Sequence, residues 1–267
     1  MEKKLASAQD PTTPPEVLTK LACDPRYQVR REVARNPSTP VEILEQLAED
    51  SSGLVRAAGA ENPGIPAEAL ERLARDGSPE VRRATARNKY APAEALERLA
   101  EDEDLETRRG VASNPSTPRE ILERLAGDES SWVRREVARS NNALVQILEQ
   151  LAGDPQWQVR EAVAGNHKTP VRILGWLAED PRWEVREAVA ANPSTPVEIL
   201  PRMCQDPNAG VRRRAARTLV ARLEEIPENP ALWLVMWEAA DREGRRKIEE
   251  HPYGQVVAAL AGLSYPR

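Results

Sequence analysis

Residues 36–50 read Asn-Pro-Ser-Thr-Pro-Val-Glu-Ile-Leu-Glu-Gln-Leu-Ala-Glu-Asp, and Val55-Arg56 follow. This is one copy of a pattern that returns every 26 residues. Its Leu-Ala pair recurs at Leu21, Leu73, Leu99, Leu125, Leu151 and Leu177, and Met203-Cys204 continues the series. Three residues after each of these comes an aspartate: Asp24, Asp50, Asp76, Asp102, Asp128, Asp154, Asp180 and Asp206. Six residues further comes an arginine: Arg30, Arg56, Arg82, Arg108, Arg134, Arg160, Arg186 and Arg212. Eight ungapped repeats over 10–217 account for these positions, with a lead-in at 1–9 and a non-repeating segment at 218–267. A fixed period of this length signals stacked modules, so it is read before any single motif.

Counting slots from the Asn at position 36, slots 5–14 place Pro at a helix start and Glu in its first turn, where the macrodipole favours an anion. Apolar slots 8, 9, 12 and 13 form one stripe at helical spacing. The pattern predicts a helix of three turns there. The Asp at slot 15, often followed by Pro, reads as the N-cap of a second, shorter helix, part of it 3₁₀, that ends where Asn-Pro begins the next repeat. One such pair is too small to bury its own stripe. Stacking buries it, which predicts an all-α solenoid with a thin, one-dimensional core. That core also explains a chain with no Phe and 4% aromatic residues. The lead-in is expected to fray, and 218–267 to form a helical cap over the last exposed core face, or a docking or weak dimerisation element.

The 36–50 pattern with its following Val-Arg resembles the leucine-rich repeat variant family. The Asp-Pro-x-x-x-Val-Arg half is also similar to the second helix of HEAT repeats. The resemblance covers 10–217. It implies a right-handed superhelix in which α-helices alternate with short 3₁₀ helices. A family member holds a 4Fe–4S centre on an N-terminal cysteine cluster. This chain has only Cys23 and Cys204, so that redox role is not carried over and no cofactor is expected.

Composition narrows the function further. Two distant cysteines suit a reducing, cytoplasmic compartment and exclude a disulfide framework. His167 and His251 complete no zinc-binding spacing. No apolar run approaches a membrane span, and the opening MEKKLASAQD has no apolar signal core. No nucleophile elbow, phosphate loop or metal motif is present.

The Asp and Arg columns at slots 15 and 21 read as a structural ladder between neighbours, with an anion-binding ladder as the alternative. Recognition is better sought where the repeats differ. Slots 21, 22 and 26 carry 17 Arg against 3 Glu, whereas slots 7, 10 and 14 carry 14 Glu against 2 Arg, a separation hidden by the net charge of −5. Beyond the ladder, Arg31, Arg35, Arg83, Arg87, Arg109, Arg213 and Arg217 would form a basic stripe. Trp132, Trp157, Trp176 and Trp183, with Arg135 and Arg139, concentrate in repeats five to seven, and Trp is the residue most enriched in interface hot spots. The favoured reading is a non-enzymatic scaffold that binds a protein through this Trp/Arg patch. A nucleic acid on the basic stripe is the alternative. An enzyme on a HEAT-like frame, of the DNA glycosylase or lyase type, is the remote one.

Overall fold

The computed structural model describes residues 2–264, with side chains through residue 259. Met1 and 265–267, the outer ends of the lead-in and of the 218–267 segment, lie outside the described residues. Among those described, every regular element is a helix. They fall into two compact bodies that divide between Ala143 and Leu144. The division lies at Ser140-Asn141-Asn142-Ala143, a repeat opening that lacks the usual prolines.

The first body contains α1 (Glu2–Gln9), α2 (Pro15–Leu21), α3 (Tyr27–Arg35), α4 (Val41–Leu47), α5 (Gly53–Glu61), α6 (Ala67–Leu73), α7 (Pro79–Arg87), α8 (Ala93–Leu99), α9 (Leu105–Ser113), α10 (Arg119–Leu125) and α11 (Ser131–Arg139). The second contains α12 (Val145–Ala152), α13 (Trp157–Gly165), α14 (Val171–Leu177), α15 (Trp183–Ala191), α16 (Leu200–Met203), α17 (Ala209–Val220), α18 (Pro230–Ala239), α19 (Arg242–Glu250) and α20 (Pro252–Ser264). A 3₁₀ turn, Leu223–Glu225, lies between α17 and α18.

Each repeat is a helical pair, but the lengths reverse the expectation from the sequence. The first helix usually has seven residues and the second nine, α-helical throughout. The 3₁₀ alternation implied by the family resemblance is thus absent from the described repeats. The first helix is short because its proline is the capping residue. Pro40 has ψ 148°, so the helix starts at Val41, and Ala48 already closes it. The aspartate is not the N-cap of the second helix. Asp50 Oδ1 accepts the Ser52 N–H at 2.8 Å, and Ser52 is the N-cap. The aspartate makes an Asx turn, and two more residues are needed before helical geometry begins.

The turn leaves the carboxylate free to face the preceding repeat. Arg30 donates from Nε and Nη2 to Asp50 at 2.5 and 2.9 Å, while its Nη1 donates to the carbonyl of Asp24 at 2.8 Å. The same bidentate pair joins Arg56 to Asp76, Arg82 to Asp102 and Arg108 to Asp128 in the first body. In the second it joins Arg160 to Asp180 and Arg186 to Asp206. Arg134 has the same carbonyl anchor, on Asp128 at 2.8 Å, and Asp154 makes the same turn with the Gln156 N–H. Two columns depart from the ladder at their ends. Asp24 is held by Lys4 and Arg26. Arg212 has its carbonyl anchor and no carboxylate among the described residues.

The buried Asn column supplies a second stitch. Asn62 Nδ2 donates to the carbonyls of Ala34 and Asn36, at 2.7 and 2.9 Å, and its Oδ1 accepts the Gly64 N–H. Asn88, Asn114 and Asn192 repeat this reach to the preceding repeat. Thr39, Thr117, Thr169 and Thr195 each donate to the carbonyl six residues back. The carbonyls at the end of every second helix would otherwise be buried and unpaired.

The lead-in is a helix, not a frayed end. Its Ala8 is fully buried against α2 and α3. Asn36 Nδ2 takes the Ala8 and Asp10 carbonyls, and Lys4, 26 residues before Arg30, fills the arginine's place on Asp24. α1 is therefore the second helix of a half repeat, and packing supplies the order that its sequence alone does not. The core itself is the leucine pair of each first helix, such as Leu44 and Leu47, with the Val and Ala of the second helices, such as Val29, Val33 and Ala34. Each buried Leu contributes about 2 kcal/mol. At the other end, Trp233 is fully buried beside His251 and Tyr253, with Nε1 donating to the Pro227 carbonyl. Gly254 is obligatory there, because a Cβ would fall 1.8 Å from the Ile248 carbonyl oxygen.

The rungs should be measurable. Arg82→Met leaves the desolvated Asp102 carboxylate without its cation, though still bonded to the Asp104 N–H, and should cost about 3 kcal/mol. Arg82→Met with Asp102→Leu should recover most of that loss, giving a large coupling energy in a urea-denaturation double-mutant cycle. The rungs also set the acid limit. Burial pushes the Asp50, Asp76 and Asp206 carboxyls up, but their arginines and turn N–H groups outweigh it and hold all three below the ordinary aspartate value of 3.8. A depressed folded pKa gives stability that is complete above the unfolded value and lost as pH falls through the folded one. The urea midpoint should therefore be flat from neutrality to about pH 5 and fall below about pH 4.

Candidate functional site

The tryptophans and arginines singled out by the sequence fall in both bodies. Trp132, Arg135 and Arg139 belong to the first body, whereas Trp157, Trp176 and Trp183 belong to the second.

In the first body, Trp132 lies in the first turn of α11 and is 48% exposed. The guanidiniums of Arg109 and Arg135 each approach its ring, with 5.8 Å to the centroid. Arg109 also pairs with Glu106 at 2.7 Å and Glu136 at 3.2 Å. The indole is thus held in a cationic bracket. Arg139 ends α11 and is exposed.

In the second body, Trp157 and Trp183 begin α13 and α15. Trp157 is half-buried under Arg182, whose guanidinium lies 5.0 Å from the ring centroid and also pairs with Glu184. No ring contact joins Trp157 to Trp183 among the described residues. Trp183 is 42% exposed. Trp176 stands apart. It lies on the outer side of α14 and is 73% exposed, at a slot where other repeats carry Arg72, Arg98, Arg124 or Arg202. Ile173, Leu174 and Leu177 hold its helix in the core. Its flanking charges, four residues before and three after, are fixed to neighbouring repeats, with Arg172 on Glu149 and Glu179 on Arg202. The apolar ring is therefore presented from a core-anchored helix between two surface ion pairs.

The basic stripe is largely neutralised. Arg31 pairs with Glu32 at 2.8 Å, and Arg35 lies between Glu32 and Glu61. Arg83 grips Asp104 at 2.5 Å, Arg87 reaches Glu106 at 3.4 Å, and Arg217 reaches Asp241 at 2.9 Å. Arg83's hydrogen bond, opposed by burial and helped by Thr107, holds the Asp104 carboxyl well below the usual carboxylate range. Arg213 is exposed and, among the described residues, donates only to the carbonyl of Ala209. Counting charge by slot missed most of this pairing, because Glu32, Asp104 and Glu106 sit at other slots of the same or following repeat and Asp241 lies beyond the repeats.

Features of a catalytic centre are weak. An open, polar groove of about 790 Å³ runs along Arg75, Arg98, Glu94, Glu97 and Glu101. Every carboxyl with a resolved shift among the described residues is displaced downward, toward the ionised form. The buried Cys204 thiol is pushed up to about 12 by desolvation, which removes it as a nucleophile. The described residues contain no group of three or more His, Cys, Asp or Glu placed to hold a metal ion. No helix among them is long and apolar enough to cross a membrane.

The family model for leucine-rich repeat variants matches residues 27–52, 79–104, 105–130 and 183–208. A solved structure described as a leucine-rich repeat variant with a novel repetitive structural motif is 32% identical. It covers 77% of this chain and 82% of its own, with a TM-score of 0.57. An engineered protein is 20% identical over 99% of this chain and 95% of its own, with a TM-score of 0.42. The Cnd3–Cnd2 condensin subcomplex of S. pombe is 18% identical over 98% of this chain and 38% of its own, with a TM-score of 0.43. No curated protein sequence matches the chain. Helix pairs stitched in register, four matched repeats and a relative of this identity and coverage lead to one conclusion: the chain belongs to the leucine-rich repeat variant family.

Proposed function

We propose that the chain is a non-enzymatic repeat scaffold that binds a protein partner, with Trp176 as the principal anchor in its second body. The observation that carries this reading is the 73% exposure of Trp176 on a helix whose other face is fixed in the core. An exposed indole on a core-anchored helix, flanked by ion pairs, has the character of an interface hot spot with a polar rim. Structure alone does not require it, since the same slot elsewhere is filled by lysine, arginine or glutamine. Trp183 adds apolar surface in the same body, and bracketed Trp132 offers a second anchor in the first. The downward carboxyl shifts and open, polar concavity support a binding role over a catalytic one. Nucleic-acid binding is disfavoured because the stripe arginines of the first body are paired with carboxylates. Counterion release needs cations free to meet phosphates.

Trp176→Arg restores the residue common at this slot and should leave the thermal midpoint nearly unchanged, within about 0.5 kcal/mol. Affinity for a partner captured from the native cell should fall by at least about tenfold. Capture that survives nuclease and is lost with this substitution supports the reading. Capture that survives Trp176→Arg but is lost on nuclease treatment or with Arg83→Glu and Arg135→Glu would point to the basic stripe instead.

A further inference from the structure

We propose that Arg212 forms a receptor for an aspartate carboxylate presented on a turn of a partner polypeptide. This site is on α17 and is separate from the Trp176 surface. The chain contains its own working copies of the complex. In six described rungs an arginine at the same slot fixes Nη1 on a backbone carbonyl of its own repeat and offers Nε and Nη2 as a fork to an aspartate. Arg186 is the nearest case, with Nη1 on the Asp180 carbonyl at 2.7 Å and Asp206 oxygens at 2.6 and 2.9 Å from the fork.

Arg212 is prepared in the same way. Its Nη1 donates to the carbonyls of Asp206 and Pro207 at 2.8 and 2.9 Å. These bonds hold the guanidinium before any ligand arrives, which lowers the ordering cost of binding. The 26-residue register would place the answering aspartate at position 232, where the chain has Leu232 within α18. No described carboxylate occupies the fork.

The two following arginines strengthen the field. At the slot of Arg213, Arg31, Arg83 and Arg109 each meet a carboxylate. Among the described residues Arg213 has only the Ala209 carbonyl, and Arg214 is exposed at a slot that other repeats fill mostly with Ala or Glu. Arg213 and Arg214 line a groove with Glu187 and Arg217, and the acids near α17 include Asp206, engaged by Arg186, and Asp241, engaged by Arg217. A bidentate fork accepts either carboxylate or phosphate. The filled rungs favour carboxylate of a specific kind. Each aspartate also accepts a backbone N–H two residues on, as Asp206 does from Asn208 at 2.7 Å. The complement is therefore an aspartate in an Asx turn, on an acidic protein segment.

The test uses the full chain labelled with ¹⁵N and a peptide copying residues 177–184, which hold the turn aspartate Asp180. The Arg212 Nε–Hε resonance, assigned by its loss in Arg212→Gln, should shift on titration with this peptide. A peptide carrying Asp180→Asn should leave it in place. Fluorescence anisotropy should show binding weakened about tenfold by Arg212→Gln, with a smaller loss in Arg213→Gln and none in Trp176→Arg. Arg213→Gln should keep the parental thermal midpoint, and Arg212→Gln, which gives up its bonds to the Asp206 and Pro207 carbonyls, should lower it only slightly. An unmoved Arg212 resonance, an equal shift with the asparagine peptide, or a shift with an oligothymidylate but not with the peptide would overturn the proposal.

Discussion

A leucine pair on a two-turn helix has nowhere to go within 26 residues. Every repeat must borrow its neighbour to remove Leu44 and Leu47, or their counterparts, from water. All other recurring features follow from holding that borrowed surface in register. The guanidinium of Arg56 illustrates the economy of the solution, since it ties the Asp50 carbonyl behind it to the Asp76 carboxylate ahead. The amide of Asn62 does the same for the carbonyls of Ala34 and Asn36. Apolar burial is non-directional and would tolerate slippage. The polar stitches have fixed geometry, and they specify one alignment.

Much of this was legible from spacing. Period, helical content and the buried leucine positions depend on side-chain pattern, and pattern is visible in a sequence. Helix limits were less so. Pro40 could cap or begin a helix with equal propriety, and only its ψ decides. The aspartate was mistaken for an N-cap because Asx turns and caps use the same residues. The half repeat at the start could have been found by extending the register backward, which places Lys4 opposite Asp24 and Thr13 on the Thr column, with its Oγ1 on the Ser7 carbonyl.

The candidate surface was less legible than the fold. The tryptophans were identified by type, but their fates differ for reasons outside their own slots. Trp157 lies under an arginine from the following repeat, Trp132 between two arginines, and Trp176 in the open. The basic stripe had the same weakness. Arg83 and Arg87 look like free cations until Asp104 and Glu106 of the next repeat are brought beside them. Pair formation is a three-dimensional property, and irregular partners leave no periodic trace.

The stitches have a further consequence for how such a chain changes length over evolutionary time. Each rung recognises only its nearest neighbour, and the rungs from Arg30 to Arg108 have nearly interchangeable geometry. Excising 26 residues within the first body would bring an arginine against an aspartate equivalent to the one it lost. Duplication would do likewise. Gain or loss of a module is then nearly neutral for folding, while it moves any irregular side chain, Trp132 included, by one step along the stack. Genetic drift in repeat number would in this way alter the spacing between recognition points while leaving the architecture untouched.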